Sequence, residues 1–123
     1  MSYKYNKRST KNVNTCRNEI ILLFHEVLKE KDHSVICGHR GRKEQEEAFN
    51  NGFSKAHFGQ SKHNSLPSNA ADVLPYPFNG WDDIEQFEIL AEVVKRKAKE
   101  LGINIKWGGD FKNFKDYPHW ELC

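Results

Sequence analysis

Two short segments place the tightest constraint on any fold this chain can adopt. Ser61–Val73, SKHNSLPSNAADV, and Asp116–Leu122, DYPHWEL, hold two histidines and two aspartates between them, set among residues that turn the backbone. His63 and Asp72 are nine positions apart, with Asn64, Ser65, Pro67, Ser68 and Asn69 between them. A polar connector containing proline does not run as one helix, so these side chains meet only if a loop folds back. Ala70–Leu74 then reads as the start of a buried strand that carries the Asp72 carboxylate. In the second segment Pro118 prevents a regular helix, and His119-Trp120-Glu121-Leu122 alternates as a strand does. Imidazole nitrogen and carboxylate oxygen are zinc donors, and a catalytic zinc site uses three protein ligands beside a position for water. His63, Asp72 and His119 fill that set. In a chain with six histidines, spacing alone leaves open the alternative that the same residues lie scattered on the surface.

The rest of the chain reads as a scaffold for one site. Its 123 residues allow a single domain, residues 1–123, around one modest core. Residues 1–14 are polar and basic without an apolar period and read as a loosely held arm. From Asn14 or Thr15, each suited to an N-cap, the apolar residues Ile20, Ile21, Leu23, Phe24, Val27 and Leu28 predict a helix over 15–31. Ser34–Gly38 reads as a short buried strand, and 43–51 as a second helix closed by Gly52. The longest helix opens at Trp81-Asp82-Asp83, buries Ile84, Phe87, Leu90, Ala91, Val94, Ala98 and Leu101, and stops at Gly102. Ile103–Trp107 alternates as a strand. The expected fold is therefore α+β: strands near 34–38, 71–75, 103–107 and 118–122 in a small, mainly antiparallel sheet flanked by about three helices.

Composition narrows the function. A net charge of +2 is too slight for electrostatic capture of nucleic acid, though a mild positive bias suits an anionic cell-wall polymer. No apolar run approaches the roughly 20 residues of a membrane span, so no membrane insertion is expected. The opening MSYKYNKRST lacks the apolar core of a signal peptide, which points to synthesis in the cytoplasm. Cys16, Cys37 and Cys123 are widely spaced with no CxxC, against a disulfide framework and in keeping with a reducing compartment. Cys37, in an apolar run, reads as a small buried hydrophobe. Cys123 follows His119 by four positions and as a fourth ligand would close the site, but a terminal residue is a poor anchor.

The order SKH, a short loop, AADV and then, further on, WGGDF and DYPHWE resembles the zinc peptidases that include D-Ala-D-Ala carboxypeptidases, vancomycin-resistance dipeptidases and phage L-alanyl-D-glutamate endopeptidases. The small phage endolysins resemble it most. The likeness runs from about Val35 to Leu122 and implies the hedgehog/DD-peptidase type of fold, with Zn2+ on His63, Asp72 and His119. It also implies that Asp116, three residues before the last ligand, is the general base. Arg40, at the strand-to-helix junction Gly38-His39-Arg40, matches an arginine that points into the active site of the family, where a guanidinium stabilises a developing oxyanion. Gln45 resembles a glutamine that supports the site, and Ser61 matches the serine of SxH, expected to orient the loop or contact substrate. His57, in the loop 52–60, is expected to touch substrate or solvent rather than metal, and Trp107 and Trp120 to form core and pocket walls. The implied substrate is the peptide stem of bacterial peptidoglycan, cut between L-Ala and D-Glu by a monomeric endolysin that reaches the wall after a holin opens the membrane.

One departure stands out: many members carry SxHxxGxAxD, whereas here the His63–Asp72 connector is longer and has no glycine, so the cleft is expected to differ in shape. Other readings use the same residues. A D-Ala-D-Ala carboxypeptidase or dipeptidase would place the same zinc on another bond, a non-catalytic wall-binding module would use it structurally, and an HNH-type nuclease would draw on His57, His63 and Asn64.

Overall fold

The computed structural model describes residues 3–123. Along the chain lie α1 (Lys7–Val13), α2 (Asn18–Leu28), β1 (His33–Cys37), α3 (Arg42–Asn50), β2 (Ala70–Pro75), α4 (Ile84–Leu101), β3 (Ile105–Trp107) and β4 (His119–Leu122). The strands form one sheet in the order β1-β2-β4-β3, with every neighbouring pair antiparallel. This is the α+β architecture read from the sequence, with four α-helices in place of three.

Period-2 alternation gives the sheet two unlike faces. Val35, Ala71, Val73 and Trp120 are buried on one face. Against it pack the apolar stripes of α2 (Ile20, Leu23, Phe24, Val27) and α4 (Phe87, Leu90, Ala91, Val94, Ala98), which complete the single core. Asp72 and His119 alternate with those apolar residues and therefore stand on the other face. α4 stops where Gly102 adopts φ 70°, and its N–H returns to the carbonyls of Ala98 and Lys99, a left-handed cap that suits glycine.

Residues 7–13 are not a loose arm. Asn6 caps α1 by accepting the Ser9 N–H at 2.8 Å, and Val13 is fully buried in the core. β1 is an edge strand, and α1 satisfies the backbone that a missing neighbour would leave open. Ser9 Oγ accepts the Val35 N–H at 3.0 Å, while Asn12 Nδ2 donates to Val35 O at 2.9 Å. The polar residues that made this segment look solvated are the ones that bind it to the sheet. Residues 1 and 2 of the expected arm lie outside the described residues.

The start of α2 also differs from expectation. Asn14 is the C-cap of α1, and Arg17 occupies the N-cap of α2 without a side-chain bond. Thr15 Oγ1 instead donates to Asn12 O at 2.6 Å and accepts the His39 N–H at 2.8 Å, so it joins α1 to the loop after β1.

Behind the sheet, His33 is buried with Nδ1 2.9 Å from Lys31 O and Nε2 against the Tyr5 hydroxyl. A carbonyl only accepts, so Nδ1 carries the proton and Nε2 accepts from Tyr5. Burial pushes the His33 pKa down from 6.5 to about 4. A histidine depressed in the folded state favours the neutral ring. Its contribution is complete above pH 6.5 and is lost as the pH falls toward 4. Urea unfolding is therefore expected to show stability falling by about 3 kcal/mol across that window from this group, and His33→Gln should flatten that part of the profile.

Candidate active site

Register places the polar face of the sheet. Cys37 is opposite Asp72, and Asp72 is opposite His119, so one row crosses β1, β2 and β4. Directly opposed residues of antiparallel strands project to the same face. Val35 pairs with Val73 and Cys37 with Asp72, leaving Ile36 as an extra residue in a bulge that shifts the pairing by one position. Without that bulge Cys37 would not share the row.

His63 reaches the row from the connector. Lys62–Asn64 form a 3-10 turn capped reciprocally by Ser61 and Asn64: Ser61 Oγ accepts the His63 N–H at 3.2 Å, and Asn64 Oδ1 accepts the Ser61 N–H at 3.1 Å. The loop folds back as its composition requires. His63 Nε2 lies 3.2 Å from Asp72 Oδ1 and 3.2 Å from His119 Nδ1, and His119 Nδ1 lies 3.3 Å from Asp72 Oδ1.

The outer nitrogens fix the tautomers. His63 Nδ1 is 2.7 Å from Gly38 O, and His119 Nε2 is 2.8 Å from Glu121 Oε1. A carbonyl and a carboxylate accept, so both outer nitrogens carry protons and both inner nitrogens of the neutral rings present lone pairs to Asp72. A tetrahedral zinc with bonds of about 2.0–2.1 Å spaces its donors roughly 3.3–3.4 Å apart, and the observed triangle fits that spacing. In the absence of a cation the same geometry draws protons. Burial opposes a charge on either ring, but Asp72 overrides it and raises His63 to about 10 and His119, helped by Glu121, to about 9. Burial likewise opposes the Asp72 charge, yet the two imidazoles hold its pKa well below the usual carboxylate range.

Cys37 is part of this region, contrary to its reading as a buried hydrophobe. It is half-buried, and its Sγ, a His63 ring nitrogen and an Asp72 oxygen lie within 4.8 Å of one another, a group that could hold a metal ion. The Cys37 sulfur is 3.8 Å from His63 Nδ1, the nitrogen already spent on Gly38, and 3.7 Å from Arg40 Nη2. The free nitrogen of His63 therefore faces His119, and a guanidinium stands against the sulfur. Cys123 is exposed and lies outside either triad.

Arg40 and Asp116 flank the triangle in a cleft of about 750 Å3 that Ser61, His63, Asp72 and His119 also line. Arg40 donates through Nη2 to Asp72 Oδ2 at 3.3 Å and through Nη1 to Gln45 Oε1 at 3.1 Å. Asp116 is positioned by the close approach of two backbones. Its N–H donates to Gly108 O at 3.0 Å, and a Cβ on Gly108 would stand 2.1 Å from Asp116 O, so only glycine fits there. Burial and the nearby Asp72 charge raise the Asp116 pKa above the ordinary carboxylate value.

The remaining expected contacts are distributed differently. Gln45 is fully buried behind the cleft, where Oε1 also accepts from Asn64 Nδ2 at 3.1 Å and Nε2 donates to Ser54 Oγ at 2.9 Å and Ala56 O at 2.7 Å. It does not line the cleft but joins Arg40, Asn64, Ser54 and Ala56 behind it. Trp107 belongs to the core, stacked on Trp120 with its Nε1 donating to Tyr117 O at 2.8 Å. His57 is exposed, pairs with Glu46 at 3.0 Å and packs on Phe49; neither it nor Trp107 lines the cleft. The exposed rings of Phe53, Trp81 and Phe114 do line it, and no sequence pattern singled them out. Glu121 was legible in principle, since strand alternation puts it on the same face as His119.

The four-stranded antiparallel sheet thus packs α2 and α4 on one face and carries a buried histidine–carboxylate cluster on the other. The crystal structure of the Serratia marcescens L-Ala D-Glu endopeptidase ChiX matches 98% of this chain and 90% of its own with a TM-score of 0.81 and 27% identity. The chain belongs to the phage L-alanyl-D-glutamate peptidase family, whose sequence profile matches residues 1–121. The L-alanyl-D-glutamate peptidase of Escherichia phage T5 is 30% identical over 95% of this chain and 88% of its own. The peptidoglycan L-alanyl-D-glutamate endopeptidase CwlK of Bacillus subtilis is 33% identical over 74% of this chain and 60% of its own length.

Gln45 joins the cleft loop to Arg40 through one buried amide. Gln45→Leu keeps the volume but leaves Asn64 Nδ2 and the Ser54 and Ala56 acceptors without that partner. A loss of about 1–3 kcal/mol in urea unfolding is expected, larger than for an exposed control such as Glu47→Leu.

Proposed function

We propose that this chain is a zinc-dependent endopeptidase that hydrolyses the L-alanyl-D-glutamate bond of the peptidoglycan stem. The observation that carries the reading is the triangle of inward-facing donors on His63, Asp72 and His119, with both outer histidine nitrogens already engaged. The named activity of the phage T5, Bacillus and Serratia relatives supports the choice of bond. On this reading the single domain, residues 1–123, acts as a monomer. The phage origin of one relative supports a phage endolysin; on this reading it gains access to the wall once a holin opens the membrane, and no helix among the described residues is long and apolar enough to cross one.

His63, Asp72 and His119 would hold the zinc ion, which when bound supplies Lewis acidity and lowers the pKa of water toward neutrality. Asp116 takes the proton of the attacking water and returns it to the leaving amine. Its raised pKa brings it closer to the pH at which both transfers are efficient. Arg40 offers its guanidinium to the oxyanion that develops on the scissile carbonyl, held in place by Gln45. Ser61 lines the cleft beside the bound peptide.

Asp116→Asn tests the division between binding and chemistry. Cleavage of Gram-negative sacculi should fall by at least about 100-fold while zinc stoichiometry and folding are retained, whereas His119→Ala should lose the metal. Mass spectrometry of the digest should show new D-Glu amino termini that vanish with chelator and return with zinc. Release of terminal D-Ala alone would make the enzyme a carboxypeptidase, and a zinc-loaded, folded protein that cuts nothing would make it a binding module.

Metal loading should also displace protons. With His63 raised to about 10 and His119 to about 9, both rings of the metal-free cluster hold an extra proton at pH 7 that zinc must expel. Calorimetric titration in buffers of different ionisation enthalpy should report release of about two protons per zinc. Zinc affinity should weaken as the pH falls, because protons compete for the same lone pairs.

A further inference from the structure

The proposed substrate, a peptidoglycan stem peptide, is acidic, and the cleft contains four cationic side chains beside its histidines: Arg40, Lys55, Lys62 and Lys115. Three of them are committed. Arg40 donates to Asp72 and Gln45. Lys62 Nζ donates to Leu122 O at 2.6 Å and stands 4.0 Å from Glu121. Lys115 Nζ donates to the carbonyls of Gly109 and Phe111 at 3.2 and 3.3 Å.

Lys55 differs. Among the described residues its ammonium has no carboxylate or carbonyl partner. It lies over the Phe114 ring, 5.2 Å from the centroid. A ring face holds a cation in place and shields it from water on one side, but leaves its formal charge uncompensated. The backbone beneath it is fixed as well. Gln45, fully buried, donates to Ser54 Oγ and to Ala56 O, the residues on either side of Lys55. The same amide accepts from Arg40 Nη1, so one buried side chain sets both the Arg40 guanidinium and the base of Lys55 relative to the metal cluster.

We infer that Lys55 is a specificity residue that pairs with a carboxylate on the leaving-group side of the scissile bond. The inference rests on the endopeptidase reading. In a γ-linked stem the D-Glu residue keeps a free α-carboxylate on the carbon that bears the scissile nitrogen, and the following diamino acid carries a further one. Either offers the same chemistry to an uncompensated ammonium at the cleft wall. An ion pair formed there as the peptide excludes water from the cleft is stronger than one on an open surface.

The test uses the zinc-loaded full chain and three synthetic muropeptides: one unmodified, one with the D-Glu α-carboxylate converted to the amide, and one with the diamino-acid carboxylate converted instead. On the unmodified peptide Lys55→Gln should raise KM about tenfold with kcat little changed, and Lys55→Arg should restore it. On one of the two amides the wild type should show the same rise and Lys55→Gln no additional one; whichever amide it is identifies the carboxylate. Phe114→Leu controls for packing and should raise KM less than Lys55→Gln. A Lys55→Gln enzyme with unchanged thermal midpoint that loses the same factor on all three peptides, or on none, overturns the inference while leaving the endopeptidase reading intact. A wild type that cleaves none of the three overturns that reading and this inference with it.

Discussion

Three lone pairs buried within 3.3 Å of one another repel unless something positive lies between them. The neutral tautomers imposed by Gly38 O and Glu121 leave Asp72 Oδ1 and the inner nitrogens of His63 and His119 facing one another. Either protons or a metal ion satisfy them, and much of the polar construction of the fold serves to keep that requirement in place. An isolated buried carboxylate would be costly. Here the two imidazoles and the Arg40 guanidinium surround it, so its ionised form is the favoured one.

The sheet does this with very little machinery. Because alternate residues face opposite ways, the strands that place Asp72 and His119 on one side bury Ala71, Val73 and Trp120 on the other. Core packing and the register of Asp72 and His119 are thus one constraint. A one-residue slip of β4 against β2 would turn Trp120 out of the core and His119 into it. The apolar stripes of α2 and α4 are far from any chemistry, yet they fix which residue of β4 is opposite Asp72. α1 extends the same logic to the edge, where Ser9 and Asn12 stand in for a neighbouring strand.

How far this was legible depends on whether a residue announces itself through period or through contact. The stripes of α2 and α4, save Ile84 and Leu101, which are exposed, and the strand alternation about Asp72 and His119 follow from spacing, and the helices and strands lie close to where spacing put them; the two histidine–aspartate segments needed the resemblance as well. α1 did not, because Lys7–Val13 has one deeply buried apolar residue, Val13, and is held by polar bonds that look like solvation in a bare sequence. The bulge at Ile36 that brings Cys37 into the row leaves no local signature. Gln45 was read as a supporting residue through resemblance, but its position behind the cleft, and the retreat of Trp107 and His57 from it, are products of tertiary packing. The aromatic rim of Phe53, Trp81 and Phe114 has no period at all, since its members come from three separate loops.

The long connector between His63 and Asp72 shows why ligand spacing in sequence is a weaker constraint than ligand geometry in space. Asp72 is fixed by strand pairing on both sides. His63 is fixed independently, by the Ser61–Asn64 cap, by Gly38 O on its ring and by its own carbonyl, which accepts the Arg40 N–H at 2.7 Å. Ser68, fully buried, donates to the same Gly38 O and the Asn69 N–H donates to Lys62 O, so the extra length is taken up at the exposed residues 65–67 and the triangle is undisturbed. None of residues 64–71 lines the cleft, contrary to the expectation that the longer connector reshapes it; its wall comes instead from residues 53–56, 60–63 and 114–119. Loops on this scaffold can change in length while the buried cluster of His63, Asp72 and His119 stays fixed by the sheet and the Ser61–Asn64 cap.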